Sequence, residues 1–317
     1  MLRAYDYTEY TKGRSEIQDA KRFNEELWLA KAAVDRVLQL DTEGPARCPG
    51  CGSAHIVPFF VKWGAAYLMC SDCASVFTEV GDVALEAYQQ DEALVRFRSS
   101  PEYQDEAAEK RMQSWQETLD WIRFRCFRHL GRHEGLTAVT GGDRYTGFTE
   151  LMRASPLCSS YRPVWEQEPD GAADIAVSLN LIQRSNCPEQ ELLEIGRHLA
   201  PGGLLFLSAR LGTGFDVLVL REHAPVYPYE YVSLLSQRGL EAVLARTGFE
   251  ILDLTTPGHM DVGYVHSRRA LIPTQDLFVR NLIFNSDPIV LGEFQRFLQK
   301  SGMSSYAHIV AKKVTGK

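Results

Sequence analysis

"DGAADIAVSLNLIQRSNCPEQELLEIGRHLAPGGLLFLSAR", Asp170 to Arg210, decides the fold class. "ADIAVSLNLI" is an apolar run of strand length, "EQELLEIGRHL" reads as a helix ended by "APGG", and "LLFLSAR" is a second strand. Strand, helix and strand in immediate succession are the repeating unit of a parallel α/β sheet.

The same alternation continues on both sides. Upstream, "LTAV" is strand-like and runs into Gly141 and Gly142; downstream, "RGLEAVLARTGF" is a helix ending at Gly248, followed by the strand "EILDLTT" and a closing strand-like run, "AHIVAKK". The expected fold is α/β, a doubly wound Rossmann-like sheet with helices on both faces over residues 132–317. Only about thirty residues lie between the glycine turn and Asp174, and one strand-helix-strand crossover takes roughly 30, so the first half of the sheet is expected to be shortened.

Ahead of this domain the chain reads as three pieces. Residues 1–45 carry a helix from Ser15, a plausible N-cap, to Leu40; 46–82 form a cysteine-bearing unit; 83–131 form a helical linker. In the linker Pro101 opens a segment in which Met112, Trp115, Leu119, Ile122 and Cys126 share one apolar face. Arg123, Arg125, Arg128 and Arg132 crowd its C-terminal end, either as a basic rim for an acceptor or as a solvated helix end that complements the dipole.

The cysteine unit is the most specific local pattern. Cys48 and Cys51 make one CxxC, Cys70 and Cys73 a second, and the 18 residues between the pairs suffice for a hairpin that brings four thiolates around one tetrahedral Zn²⁺. Four cysteines leave no open coordination position, so the metal is expected to be structural and the ribbon to hold or present something, a protein partner included. The other cysteines, Cys126, Cys158 and Cys187, are single, which suits a reducing compartment.

Bulk properties exclude some classes. The 317 residues are 45% hydrophobic and 24% charged with a formal charge of −7, which argues against general binding to nucleic acid or anionic membranes. No apolar run reaches the length of a membrane span and the first residues lack the apolar core of a signal peptide, so a cytoplasmic location is expected.

The stretch from Asp170 to Arg210, with its acidic residue before a strand and its Pro-Gly-Gly turn, resembles the second half of class I S-adenosylmethionine-dependent methyltransferases. "YPYEYVSLLSQRGLEAVLARTGFEILDLTTPGHMDV" resembles the later helix, Gly-Phe turn and strand of the same family, and the resemblance covers roughly Arg132 to Lys313. The ribbon and "FQRFLQKSGMSSYAHIVAKK" resemble a subgroup tied to sugar and natural-product methylation. The resemblance implies S-adenosylmethionine as cofactor and a small-molecule acceptor such as a sugar or natural-product intermediate.

Laid on the family's pattern, the cofactor pocket would be formed by Gly141, Gly142, Asp143 and Thr146 with Ser178, Leu179 and Asn180 at the end of the "DIAVSLNL" strand. This sequence departs from the pattern three times. The first strand ends in Thr140 rather than an acid, "LCSSYRPVW" supplies no carboxylate for the ribose hydroxyls, for which Glu166 or Glu168 could substitute, and Gln183 and Arg184 stand where many relatives carry Glu-His. A guanidinium stays protonated and cannot be a general base. Candidates for that role are His223 and Tyr227, in a Pro-punctuated loop, and His259 in a Gly-Pro turn, with Tyr229 and Asp261 nearby. Two functions follow: a methyltransferase with an altered cofactor pocket, or a catalytically inactive methyltransferase-like protein that serves as a scaffold or regulatory partner.

Overall fold

The structure is a computed structural model that describes residues 20–40, 46–141, 146–166 and 169–314; of residues 20–24, 107, 110 and 146 only the backbone is described. Ser15 lies outside the described residues, and the first helix, α1, runs Ala20–Val37.

The cysteine unit is a small antiparallel sheet, β1 (Ile56–Lys62), β2 (Ala65–Cys70) and β3 (Val76–Thr78). Lys62 pairs with Ala65, so the β1–β2 connection is the two-residue turn Trp63–Gly64, with φ of 49° and 86°. Two left-handed residues in succession give the turn the twist of its strands, which is why such turns favour glycine and asparagine. Three helices follow: α2 (Asp82–Gln89), α3 (Glu92–Arg98) and α4 (Pro101–Leu130). Ser100 caps α4 by accepting from the Tyr103 amide, and Pro101 occupies the first turn, where its missing N–H costs nothing.

The remaining elements are β4 (Leu136–Thr140), α5 (Thr146–Ala154), β5 (Cys158–Pro163), β6 (Ala173–Leu179), α6 (Pro188–His198), β7 (Leu199–Arg210), α7 (Phe215–Leu220), β8 (Ser233–Leu234), α8 (Gln237–Arg246), β9 (Phe249–Thr255), α9 (Asp261–Ser267), α10 (Leu277–Asn285), α11 (Pro288–Lys300) and β10 (Tyr306–Lys313). The large sheet has the order β5-β4-β6-β7-β10-β9. β5, β4, β6 and β7 are parallel, and β10 inserts antiparallel between β7 and β9. The sheet is thus the doubly wound Rossmann-like sheet of the family resembled. Its shortened half is visible: among the described residues between β4 and β6 the chain makes α5, β5 and the 3₁₀ turn Val164–Glu166.

Alternation along the strands sorts the core into two layers. Leu136, Ala138, Leu204 and Phe206 face α4 and α5, meeting Trp115, Leu119, Ile122, Phe148 and Met152. Val139, Leu205, Leu207 and Ile309 face α6 and α8, meeting Leu192, Ile195, Leu240 and Val243. Met112, placed by its spacing on the apolar face of α4, is exposed. The "APGG" segment is also not a break before a strand: β7 begins at Leu199 and takes Pro201 to Gly203 into itself, with a register shift against β6.

The arginines of α4 are anchors. Arg125 is buried 3.7 Å from Asp253 of β9, His129 Nε2 is 2.6 Å from the same carboxylate, and Arg132 pairs with Asp174. The ribbon is fastened to the α/β domain as well. β3 pairs with β8, Ser236 donates to the Cys73 carbonyl, and Arg246 donates to the Gly50 carbonyl at 2.8 Å. No helix among the described residues is long and apolar enough to cross a membrane.

Candidate functional site

The two CxxC pairs meet where the spacing places them. Cys48 Sγ lies 3.6 Å from Cys73 Sγ, Cys51 Sγ lies 3.5 Å from Cys70 Sγ, and all four sulfurs fall within 4.8 Å of one another. Thiolates about 2.3 Å from a tetrahedral metal sit roughly 3.8 Å apart, so the four sulfurs fit a metal ion. The contact between Cys48 and Cys73 lowers the Cys73 thiol, while that contact and burial push Cys48 up.

The turn after β4 is less open than its glycines imply. A Cβ on Gly141 would lie 2.8 Å from Ile195 Cδ1 and 3.1 Å from Leu181 Cδ2, and one on Gly147 would lie 2.5 Å from the Trp115 ring. Both glycines therefore make room for protein side chains. Gly142 and Asp143 lie outside the described residues, as does Glu168, and of Thr146 only the backbone at the start of α5 is described. At the end of β6, Ser178 is fully buried, Leu179 packs on the core beneath α4, and Asn180 turns the chain with a left-handed φ of 60°. β5 ends without an acid, and Glu166 beyond it is exposed.

A cavity of about 430 Å³ opens on the other side of Asn180, over the carboxyl ends of β6 and β7 and the start of β10. Its roof comes from α1, the end of α3 and α4, through Glu26, Arg98, Arg111 and Glu117; its outer wall is residues 257–261 and Tyr264. Tyr227 and His259 line it, whereas His223 is exposed on a 3₁₀ turn outside it, 3.7 Å from Glu222. Tyr229 is in the core, stacked on Tyr88. Asp261 lines the cavity but is saturated, accepting from Ser304 Oγ, Gln295 Nε2 and the Ser305 amide.

Gln183 and Arg184 are also explained by packing. Gln183 Oε1 accepts from the Arg210 amide at 2.7 Å, which closes the end of β7, and Arg184 lies 3.7 Å from Glu230. Burial, reinforced by Arg125, drops the His308 imidazole to about 4, so it faces the cavity neutral. Burial pushes Tyr306 up, against its hydrogen bonds to Ser208 and Asn180. Sequence reading missed Tyr231, Tyr264, Tyr306 and His308 as cavity residues. Tyr306 and His308 reach it because β10 lies beside β7, whereas Tyr231 comes from the loop before β8 and Tyr264 from α9.

Residues 97–254 match a methyltransferase domain family. This α/β part is a methyltransferase-like domain. S-adenosylmethionine is the cofactor of that family. Among solved structures the methyltransferase-like chain is similar to the Burkholderia thailandensis 1,6-didemethyltoxoflavin-N1-methyltransferase, at 12% identity over 81% of this chain and 99% of that one, TM-score 0.41. It is similar also to the geranyl diphosphate C-methyltransferase of Streptomyces coelicolor A3(2), at 14% identity over 71% and 88%, TM-score 0.40, and to the [4+2]-cyclase SpnF, at 17% over 63% and 82%, TM-score 0.37. No curated protein matches the methyltransferase-like chain.

Proposed function

We propose that the protein transfers a methyl group from S-adenosylmethionine to a small-molecule acceptor, a sugar or natural-product intermediate, bound in the 430 Å³ cavity. One observation carries the reading: the strand order reverses between β4 and β6, and the cavity opens beside that point at the strands' carboxyl ends. Open α/β sheets bind ligands there, because the chain leaves neighbouring strands in opposite directions and the loops part.

The described residues fit the cofactor through the backbone at the ends of β4 and β6 and through Asn180; they do not fit the usual grip on the ribose, since no buried acid ends β5. Gly141, Gly142, Asp143 and Thr146 with Ser178, Leu179 and Asn180 would hold it, and when bound it supplies an electrophilic methyl group. The chain's own part is to orient the acceptor and take its proton. His259 and Tyr227 are the residues for that among those on the cavity. Burial keeps the Tyr227 phenol protonated and so makes it a donor that positions the acceptor, which leaves the base to His259. We read the four cysteines as a structural Zn²⁺ site.

Calorimetric titration of the metal-loaded protein with S-adenosylmethionine and S-adenosylhomocysteine tests the reading. Micromolar binding that weakens in Gly142→Val supports it. An absence of heat and of any thermal shift at millimolar cofactor sinks it in favour of the inactive scaffold, the reading that the protein-filled space beside Gly141 and Gly147 supports.

A further inference from the structure

Three tyrosines on one side of the cavity, Tyr227, Tyr231 and Tyr264, each hold a cation over the ring. Lys62 Nζ lies 5.1 Å from the Tyr227 centroid, the Arg210 guanidinium 5.7 Å from that of Tyr231, and the Arg268 guanidinium 5.6 Å from that of Tyr264.

Among the described residues only one of these cations has a carboxylate at ion-pair distance. Arg210 is paired with the buried Asp216, and Asp261 is saturated by Ser304, Ser305 and Gln295. Lys62 is 9% exposed and donates to the Ala224 carbonyl; among the described residues it has no ion-pair partner. Arg268 has none either and donates only to Ser267 Oγ. Two cations therefore have no carboxylate at ion-pair distance, and burial first, then Arg268 and Arg210, lowers Lys62 to about 8 against the opposing pull of Glu222. The hydroxyls of the three tyrosines have no hydrogen-bond partner among the described residues, and burial keeps those of Tyr227 and Tyr264 protonated. Unpartnered O–H donors beside cations that no carboxylate contacts are complementary to an oxyanion.

Lys62 does not belong to the α/β domain. It ends β1 of the cysteine ribbon, and Trp63 after it takes the first position of the two-residue turn at φ 49°, an uncommon conformation for a tryptophan. In that conformation the Trp63 ring stacks on Tyr227, with centroids 5.2 Å apart and planes 12° from parallel. The turn thus delivers a stacking ring and a cation to the same cavity tyrosine.

We propose that the β1–β2 turn of the cysteine ribbon is part of the ligand site: Lys62 and Trp63, with Arg268, shape a tyrosine wall that binds an oxyanion, carboxylate or phosphate, on the ligand. Calling that ligand the methyl acceptor rests on the function proposed above; the anion site itself does not.

The test titrates the full-length, metal-loaded protein, without S-adenosylmethionine, with inorganic phosphate and with malonate at constant chloride. One of the two anions is expected to bind saturably at millimolar concentration or below, the tighter one naming the oxyanion. Lys62→Met and Arg268→Gln are expected each to weaken it at least about tenfold, the loss of one charge-assisted contact. Lys62→Met is also expected to melt higher than the parent, because it removes a buried unpaired cation, an outcome a merely structural lysine would not give. Trp63→Asn places a residue suited to the turn, so the hairpin forms and retains metal while the anion affinity falls. Failure of both anions to bind, or equal affinity in parent, Lys62→Met and Arg268→Gln, overturns the proposal. Because no cofactor is present, failure of cofactor binding leaves this result unaffected.

Discussion

At the scale of single residues, Lys62 has a measurable signature. Its ammonium is lowered from 10.5 to about 8, by burial first and then by Arg268 and Arg210. Between those values the unfolded chain binds more protons than the folded one, so stability rises with pH across that window, and the cost of the buried charge is fully present below about 8. The difference amounts to about 3 kcal/mol as an upper figure. Urea melts at pH 7.5 and 10 are expected to show the parent gaining stability relative to Lys62→Met as pH rises; a constant difference would refute this account. A second residue-scale prediction concerns Gly141. A valine there drives its side chain into Ile195 and Leu181, and overpacking of this kind costs about 1–3 kcal/mol, read as a lower melting temperature without any ligand present. Gln183 shows where local reading stops. The sequence marks it as a departure from a catalytic pair, but the Arg210 amide it holds is 27 positions away and only the fold brings them together.

Among elements, α4 was legible as a helix from Pro101 at its start and its apolar face, but the role of its arginines was not. Periodicity places Arg125 near the helix end and does not reveal that Asp253 of β9 lies beside it, 3.7 Å away. Arg125 is 97% buried by that contact, being only 3% exposed, so Asp253→Ala strands a cation in the core. The expected loss is about 3 kcal/mol, measured by denaturant unfolding, with Asp253→Asn losing less because its side-chain oxygen still accepts from His129. The ribbon is the converse case. Its cysteine spacing was readable, whereas its attachment was not, since β8 offers only two residues to β3 and has no strand pattern of its own.

For the whole molecule, the attachment of the ribbon makes metal content a global variable. The β3–β8 pairing, the Ser236 contact with the Cys73 carbonyl and the Lys62 contact with Ala224 all join the cysteine-bearing hairpins to the α/β domain. Chelation is therefore expected to lower the melting temperature of the entire protein in one calorimetric transition. A separate early transition with the main one unmoved would mean that the ribbon folds and unfolds by itself. The shortened half of the sheet has a similar reach. The edge strand β5, whose end would carry an acid toward the cofactor ribose, ends at Pro163 without one, and Glu166 beyond it is exposed. A cofactor affinity weakened about ten- to hundredfold relative to a site with that carboxylate is the expected outcome of titration.

The sequence by itself determined what local pattern can determine: several strands from short apolar runs, helices from apolar residues at spacings of three and four, the four metal-ligand candidates from two CxxC pairs, and a sheet too short of chain in its first half. The tertiary structure alone decided which distant segments became neighbours. It inserted β10 between β7 and β9, gave β3 a partner in β8, and set Lys62 against the Ala224 carbonyl 162 positions away. Periodicity records which face of an element is apolar and not which surface will cover it. The cavity wall is built by that second choice.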